Sequence, residues 1–326
     1  MAARTDLGAE LVLLLVLSTA WGASYSLIKI GVATIAPVTL IAARTLIAAA
    51  VLLAVMRARG TALPRSRLIW ARLLVQACLN SVVPFTLIAW AEQTVGAGLA
   101  TILNSTSPVF AFLASVILAR GGGVTRLKLL GVAAGLSGTC LIIGVDALDG
   151  LGSDAFAQIA VVVASACYGG AAVFGRRFRE LDPIVPATGS MISGAAVLVP
   201  AAIVIDRPWT LAPSAASVLA LVALATVSTA LAFTIYFRLI GTLGPIGTTA
   251  QAYLRVPIGV AIGVVFLGET LSTTAWLGLG LVIVGVIAMT VPAGRAASRA
   301  AESGATRGMP APRRAGRSHR PSVWRR

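Results

Sequence analysis

Apolar residues fall into about ten long runs along this chain, near 11–32, 36–57, 69–91, 97–119, 126–145, 154–175, 184–205, 215–239, 245–267 and 272–292. Each run is close to the roughly 20 residues that a helix needs to cross a bilayer core. Short breaks carrying Gly, Pro or charge separate them. The runs are continuous rather than alternating, which argues against a membrane barrel. The pattern predicts an all-α polytopic membrane protein of about ten transmembrane helices. The first run could be read as a signal peptide, since an apolar core precedes small residues at 18–20. Its charged flank is mixed (Arg4, Asp6, Glu10) and the run continues past Trp21 to Val32, so it reads as a retained helix.

The stretch 245–269, PIGTTAQAYLRVPIGVAIGVVFLGE, departs from a plain apolar run, with Arg255 near its middle and Pro257 two residues on. Steps of three and four residues place Thr248, Gln251, Arg255 and Gly259 on one helix face. An arginine at the bilayer midplane costs about 2.5–3.5 kcal/mol on insertion scales, and chains carry one mainly where it meets water, a partner or a substrate. Pro257 removes a backbone donor and is expected to kink the helix. Residues 96–119, GAGLATILNSTSPVFAFLASVILA, have the same form. Laying Pro108 on Pro257 also lays Gly98 on Gly247, Asn104 on Tyr253 and Leu118 on Leu267. Beyond them GVAAGLSG (131–138) matches GLGLVIVG (278–285), and CYGGAAVFGR (167–176) matches AWGASYSLIK (20–29). These ordered pairings predict a duplication, with one five-helix repeat over 1–145, a second over 146–292, and a tail over 293–326. Internal repeats with a binding site between them are a design of secondary transporters.

Composition agrees with the membrane reading. The chain is 58% hydrophobic and 11% charged, against about 25% charged in a soluble domain. Its formal charge of +15 suggests nucleic acid or anionic lipid at first sight, but the charges are ordered. With the N-terminus inside, the inner breaks hold Arg57, Arg59, Arg65, Arg67 and Arg72, then Arg120, Arg126 and Lys128, then Arg176, Arg177 and Arg179, then Arg238. The outer breaks hold Asp146, Asp149, Asp154, Asp206 and Glu269, with Arg207 their only base. This asymmetry follows the positive-inside rule. It predicts an integral protein of the cell (plasma) membrane with both termini cytoplasmic. Five helices per repeat is an odd number, so the two repeats insert in opposite directions. Residues 294–326, rich in Arg, Ala, Gly, Ser and Pro and holding His319, read as a disordered cytoplasmic tail.

The start Ala20-Trp21-Gly22, Arg44 within the second helix, the central prolines Pro108 and Pro257, and Leu267-Gly268-Glu269 before GLGLVIVGV occur in an order that is similar to the EamA-type transporters of the drug/metabolite transporter superfamily. The resemblance covers roughly residues 11–292. It implies a ten-helix carrier working by alternating access, usually an exporter of metabolites or xenobiotics. The first half departs from the pattern, because Ala119-Arg120 stands where Gly-Glu is expected. Arg44 falls on Met191 in the second half, so the site is expected to be asymmetric.

The polar groups inside the runs are candidates for a substrate pathway, and each has a structural alternative. Arg255, with Gln251 on its face, is either a pathway residue or a partner for carbonyls freed at Pro257. Arg44 is equally a pathway residue or a structural hydrogen-bond donor. Lys29 snorkels to the interface or lines the pathway. Glu92 is an interfacial residue or an ion partner for Arg44 or Lys29. Asn104, Ser105 and Thr106 line the pathway or satisfy backbone opened at Pro108. Trp21, Tyr25 and Tyr253 form an aromatic wall or simply pack. Gly131-xxx-Gly135 and Gly259-xxx-Gly263 are close-approach helix contacts. Gly278-x-Gly280 lies inside an apolar run with no preceding strand and is no nucleotide loop.

Two deep arginines without a carboxylate at matching depth favour a small anionic or zwitterionic substrate, such as an amino acid or organic acid. No cofactor is expected, and Cys78, Cys140 and Cys167 show no metal spacing. The expected partners are a small-molecule substrate and the lipid bilayer, with anionic lipid headgroups as an option for the tail and a homodimer as a further option. Nucleic acid is not needed to explain the charge. Two rival classes are weighed against transport. A receptor or scaffold would bring an ordered soluble domain, and an intramembrane enzyme would need a clustered nucleophile and base or metal ligands.

Overall fold

A computed structural model describes residues 7–91, 94–95, 97–118, 125–143, 154–258 and 273–290. All regular elements among them are helical. They are α1 (Leu7–Val32), α2 (Pro37–Ala58), α3 (Arg67–Ala91), α4 (Ala97–Asn104), α5 (Ser107–Leu118), α6 (Arg126–Ile143), α7 (Ala155–Gly175), α8 (Ile184–Ile205), α9 (Ala215–Thr242), α10 (Gly244–Thr249), α11 (251–258) and α12 (Thr273–Thr290). Six helices are long and apolar enough to cross a membrane, and Ile102–Ile117 and Trp276–Thr290 are shorter apolar helices. Large apolar side chains such as Ile117, Phe156, Val204 and Leu219 stand exposed around the outside. Water would disfavour so much contiguous apolar surface, whereas lipid accepts it. Residues 291–326, Glu92, Ala119-Arg120, Gly259–Gly263 and Glu269 lie outside the described residues, as do the side chains of Tyr25 and Lys29.

Helix ends follow local chemistry. Pro37 sits in the first turn of α2, where its missing N–H is no loss. The Asp206 carboxylate, from the end of α8, accepts the Thr39 N–H at 2.6 Å and so caps α2 from another helix. At the far end of α2, Gly60 takes φ +66°, with bonds from Gly60 N–H to the Arg57 carbonyl and from Thr61 N–H to the Met56 carbonyl. That pair of bonds is a Schellman stop, and it needs a residue at home in the left-handed region. Asp154 starts α7 by accepting the Ala157 N–H at 3.1 Å, and it also accepts the Thr94 hydroxyl at 2.7 Å.

Helix partners cross between the two sequence halves. Helix α1 packs on α9, α7 packs on α3 and α5, and α2 packs on α8. The tightest contact is between α6 and α12. A Cβ built on Gly131 would lie 2.8 Å from the Gly285 carbonyl, and one on Gly138 would lie 2.6 Å from the Gly278 carbonyl. Gly131 therefore meets Gly285, not Gly278, its match in the sequence pairing. Two antiparallel helices related by a two-fold axis produce that exchange.

Two helices carry a π turn, Cys78–Val82 in α3 and Thr226–Leu231 in α9. Each begins eleven residues after its helix starts, at Arg67 and at Ala215. The fourth and ninth apolar runs are each divided. A turn at Ser105–Thr106 separates α4 from α5, and a turn at Ala250 separates α10 from α11. Pro108 stands directly after the first turn. Pro257 lies inside α11, and the described break in that run comes seven residues before it.

Candidate functional site

A cavity with about 750 Å³ of empty space, its open mouth included, lies among α1, α2, α3, α5, α7, α9, α10 and α11. Its apolar walls include Ile28, Ile41, Ile88 and Phe233, and its charged side chains are Arg44 and Arg255. No carboxylate lines it among the described residues.

Arg44 projects from α2 and is only 3% exposed. Its Nε donates to the Thr229 hydroxyl at 2.7 Å, and Nη2 donates to the Ser228 carbonyl at 3.4 Å. Both acceptors belong to the π turn of α9. The guanidinium carbon stands 4.0 Å from the Phe85 ring centroid, a cation–π contact in a dry setting. The same Ser228 carbonyl accepts the Trp21 indole N–H at 3.0 Å. The wide turn thus ties α1 and α2 to α9, and Arg44 acts as a wall and brace.

Arg255 is placed differently. It is half-buried, and its Nε donates to Gln251 Oε1, one turn earlier, at 2.8 Å. Its guanidinium carbon lies 5.4 Å from the Trp21 ring centroid. The Arg255 stem passes beside Gly22, where a built Cβ would make only ordinary contact, 3.8 Å from Arg255 Cβ. The Trp21 ring packs in turn against Phe233 at 5.8 Å and Tyr236 at 5.6 Å. Gln251 fixes the direction of the guanidinium, and Trp21 covers it. What this pair can do chemically is orient an anion with a charge-assisted, directional bond.

The two turns bring polar groups to the cavity edge, with Ser107 at the start of α5 and Thr249 and Gln251 flanking Ala250. Pro108 has no N–H to give the Asn104 carbonyl, and Ser107 Oγ donates to that carbonyl at 2.7 Å instead. The Leu103 carbonyl accepts the hydroxyls of Thr106 at 2.6 Å and Ser165 at 3.1 Å. Asn104 Oδ1 accepts from Ser165 at 3.3 Å. These bonds satisfy backbone opened by the break.

Of the sequence candidates, the structure gathers Arg255, Gln251, Arg44 and Trp21 at the cavity. Asn104 and Thr106 sit behind it, in the bonds just described. Tyr253 is placed elsewhere. It is fully buried, its hydroxyl donates to the Val132 carbonyl at 3.0 Å, and its ring lies where a Gly135 side chain would be. Residue 253 is half a helix turn from the 251–255 face, so the helical period could have excluded it. Glu92 and the Lys29 side chain lie outside the described residues.

Sequence reading missed Asn80, Phe85, Phe233 and Tyr236, all of which line the cavity. An asparagine inside an apolar run was a usable signal, but the π turn that presents it has no sequence signature. It also missed the Glu10 carboxylate, which is 2% exposed. Glu10 accepts from Arg238 at 2.8 Å and from the Thr242 hydroxyl at 3.0 Å, joining α1 to α9. Among the described residues no group of three His, Cys, Asp or Glu side chains could hold a metal ion.

A model of the EamA-like transporter family matches residues 8–144 and again residues 155–291. YedA, an uncharacterized inner membrane transporter of Escherichia coli (strain K12), is 28% identical over 271 residues, 83% of this chain and 87% of its own length. A probable terminal-alkyne amino-acid exporter of Streptantibioticus cattleyicolor is 28% identical over 203 residues, 62% of this chain and 66% of that one. A protein of known crystal structure superposes with a TM-score of 0.71 at 18% identity, covering 86% of this chain and 97% of its own, which shows a shared fold. The described helices and these relatives, one an inner membrane transporter by name, make this an integral protein of the cell membrane. With the family model matched twice across its helical length, the chain belongs to the EamA-like transporter family.

Proposed function

We propose that this chain is a ten-helix secondary carrier that exports a small anionic or zwitterionic metabolite by alternating access, with Arg255 as the anchor for the substrate's anionic group. Residues 1–145 and 146–292 form two five-helix repeats of opposite orientation, and 293–326 form a basic cytoplasmic tail. The exchanged glycine pairs of α6 and α12, and the π turns at equal depth in α3 and α9, support the opposed repeats. The observation that carries the reading is Arg255, a cation directed by Gln251 in a cavity without a described carboxylate.

Two features agree with it. The half-helices α5 and α11 begin beside the cavity, where the positive ends of helix dipoles favour anions. With both termini cytoplasmic, Ile28, Ile41 and Ile88 come from the outer half of the membrane, which would give the cavity an outward mouth. The inner half is filled by Phe174, Phe178, Tyr236 and Phe237, packed tilted or edge-on with ring centroids 5.2–6.2 Å apart, and the Glu10–Arg238 pair lies beyond them. Inward opening must part these contacts.

The test is flux in proteoliposomes with purified Arg255→Gln and Arg255→Ala, using an acid that the wild-type protein moves. Loss of a charge-assisted bond, about 1.5–3 kcal/mol, corresponds to roughly a ten- to hundredfold weaker apparent affinity. Wild-type kinetics in folded Arg255 variants would reject the anchor.

A further inference from the structure

Two side chains that line the cavity each carry a buried polar atom without a hydrogen-bond partner among the described residues. Asn80 stands on the π turn of α3 and is 1% exposed, and its Nδ2 has no hydrogen-bond partner. Tyr236, five residues beyond the π turn of α9, is 3% exposed, and its hydroxyl has no hydrogen-bond partner either. Both side chains line the cavity. Gln76 is the neighbouring hydrogen-bonding side chain to the Tyr236 hydroxyl, but its Oε1 is also without a partner and the two do not meet hydrogen-bond geometry. Buried polar groups are almost always satisfied, so such a pair bordering a cavity marks a place for a bound polar group. Each π turn widens its helix by one residue and turns side chains inward that a regular helix would direct elsewhere. Turns of this kind recur at functional sites.

We infer that Asn80 and Tyr236 form an uncharged subsite that binds a hydroxyl or carboxamide on the substrate. This inference rests on Arg255 holding the acid group. The amide N–H and the phenol O–H both donate, and the phenol oxygen also accepts. A hydroxyl or carboxamide offers the matching oxygen and hydrogen. A free ammonium does not match this end, where the amide N–H and the phenol O–H both donate and no described carboxylate neutralises it; the α-ammonium of an amino acid would instead lie at the Arg255 end, beside its own carboxylate. A second carboxylate would be held only by neutral groups, since the described bonds of Arg44 run to the α9 turn and the Phe85 ring. Trp21 lies between the two ends, 5.4 Å from the Arg255 guanidinium carbon and 5.6 Å from the Tyr236 ring centroid. The guanidinium carbon and the Tyr236 ring centroid are therefore at most about 11 Å apart, an upper limit within which a chain of five or six carbons fits. Bifunctional short acids, with the acid at one end and a neutral polar group at the other, match both ends and the distance.

The experiment measures equilibrium binding to the full-length protein in nanodiscs, using two matched pairs of probes. These are 5-hydroxypentanoate against hexanoate, and L-glutamine against L-leucine. Wild-type protein should prefer the hydroxyl- or amide-bearing member of each pair about tenfold. Tyr236→Phe, which removes one oxygen and keeps the ring, should cut that preference to threefold or less with hexanoate and leucine affinity little changed. Asn80→Ser and Asn80→Ala should do the same, the first guarding against misfolding. Arg255→Gln should weaken all four probes alike. Equal wild-type affinity within both pairs, or a preference untouched by Tyr236→Phe and Asn80→Ser, overturns the subsite and leaves the anchor standing. A preference that survives while Arg255→Gln changes nothing rejects the anchor instead. No saturable binding of any probe rejects both.

Discussion

Helices α6 and α12 touch through glycines, and one methyl group there should separate them. An alanine Cβ at Gly138 would lie 2.6 Å from the Gly278 carbonyl oxygen and 2.8 Å from the Val282 nitrogen, where ordinary contact is 3.4–4 Å. The obstructing atoms are backbone, so no side chain can rotate away, and the two helices must part by roughly 1 Å. Overpacking of this kind costs about 1–3 kcal/mol. Gly280, on the same α12, has nothing within 4 Å of its built Cβ. Alanine there meets no obstacle and gains about 0.8–1 kcal/mol of helix propensity. The same chemical change should thus have opposite signs at Gly138 and Gly280, with a gap of roughly 2–4 kcal/mol. Gly138 and Gly278 share one contact, so alanine at both should cost less than the sum of the singles. Thermal unfolding of the purified variants in one detergent, followed by loss of the monodisperse chromatographic peak, reads the order. Equal midpoints for Gly138→Ala and Gly280→Ala would refute close backbone approach as what holds these helices.

Tyr253→Phe should lower unfolding stability by about 0.5–1.5 kcal/mol, because the buried Val132 carbonyl loses its donor. Its flux per folded molecule should stay at the wild-type level, and a lost flux at full stability would return Tyr253 to the pathway. Asp154 makes a pH prediction. The Thr94 hydroxyl, and then the Ala157 N–H, hold its carboxyl below the ordinary aspartate value. A lowered folded pKa adds stability at pH values above the unfolded pKa, and that increment is lost as pH falls through the folded one. The midpoint difference between wild type and Asp154→Ala should therefore be constant at neutral pH and shrink below about pH 4. A difference independent of pH from 7 to 3 would count against the cap.

The class of this protein was legible in its sequence because lipid imposes a one-dimensional rule. Every backbone group must be satisfied within its own segment, so a spanning helix writes itself as a continuous apolar run. The same rule made Arg255 conspicuous and made Gln251 its neighbour, since both follow from helical period alone. The Gly131-xxx-Gly135 spacing announced close packing, and a Cβ built on either glycine falls under 3.0 Å from a neighbour, whereas the equally tight Gly138, Gly169, Gly189, Gly278 and Gly285 carried no such signal. What the sequence left undecided was the use to which each polar residue is put. Arg44 and Arg255 look alike in a hydropathy profile. One is braced against the α9 π turn and the Phe85 ring, and the other is directed at the cavity by Gln251. That difference depends on which helix lies opposite, and on π turns and breaks at Ser105–Thr106 and Ala250 that no local signal fixes. Tyr236 reads as one more aromatic in an apolar run, and only the packing of α9 against α1 places its side chain at the cavity. Segment identity is a property of contiguous residues in one solvent, whereas a site is a property of groups brought together from distant segments.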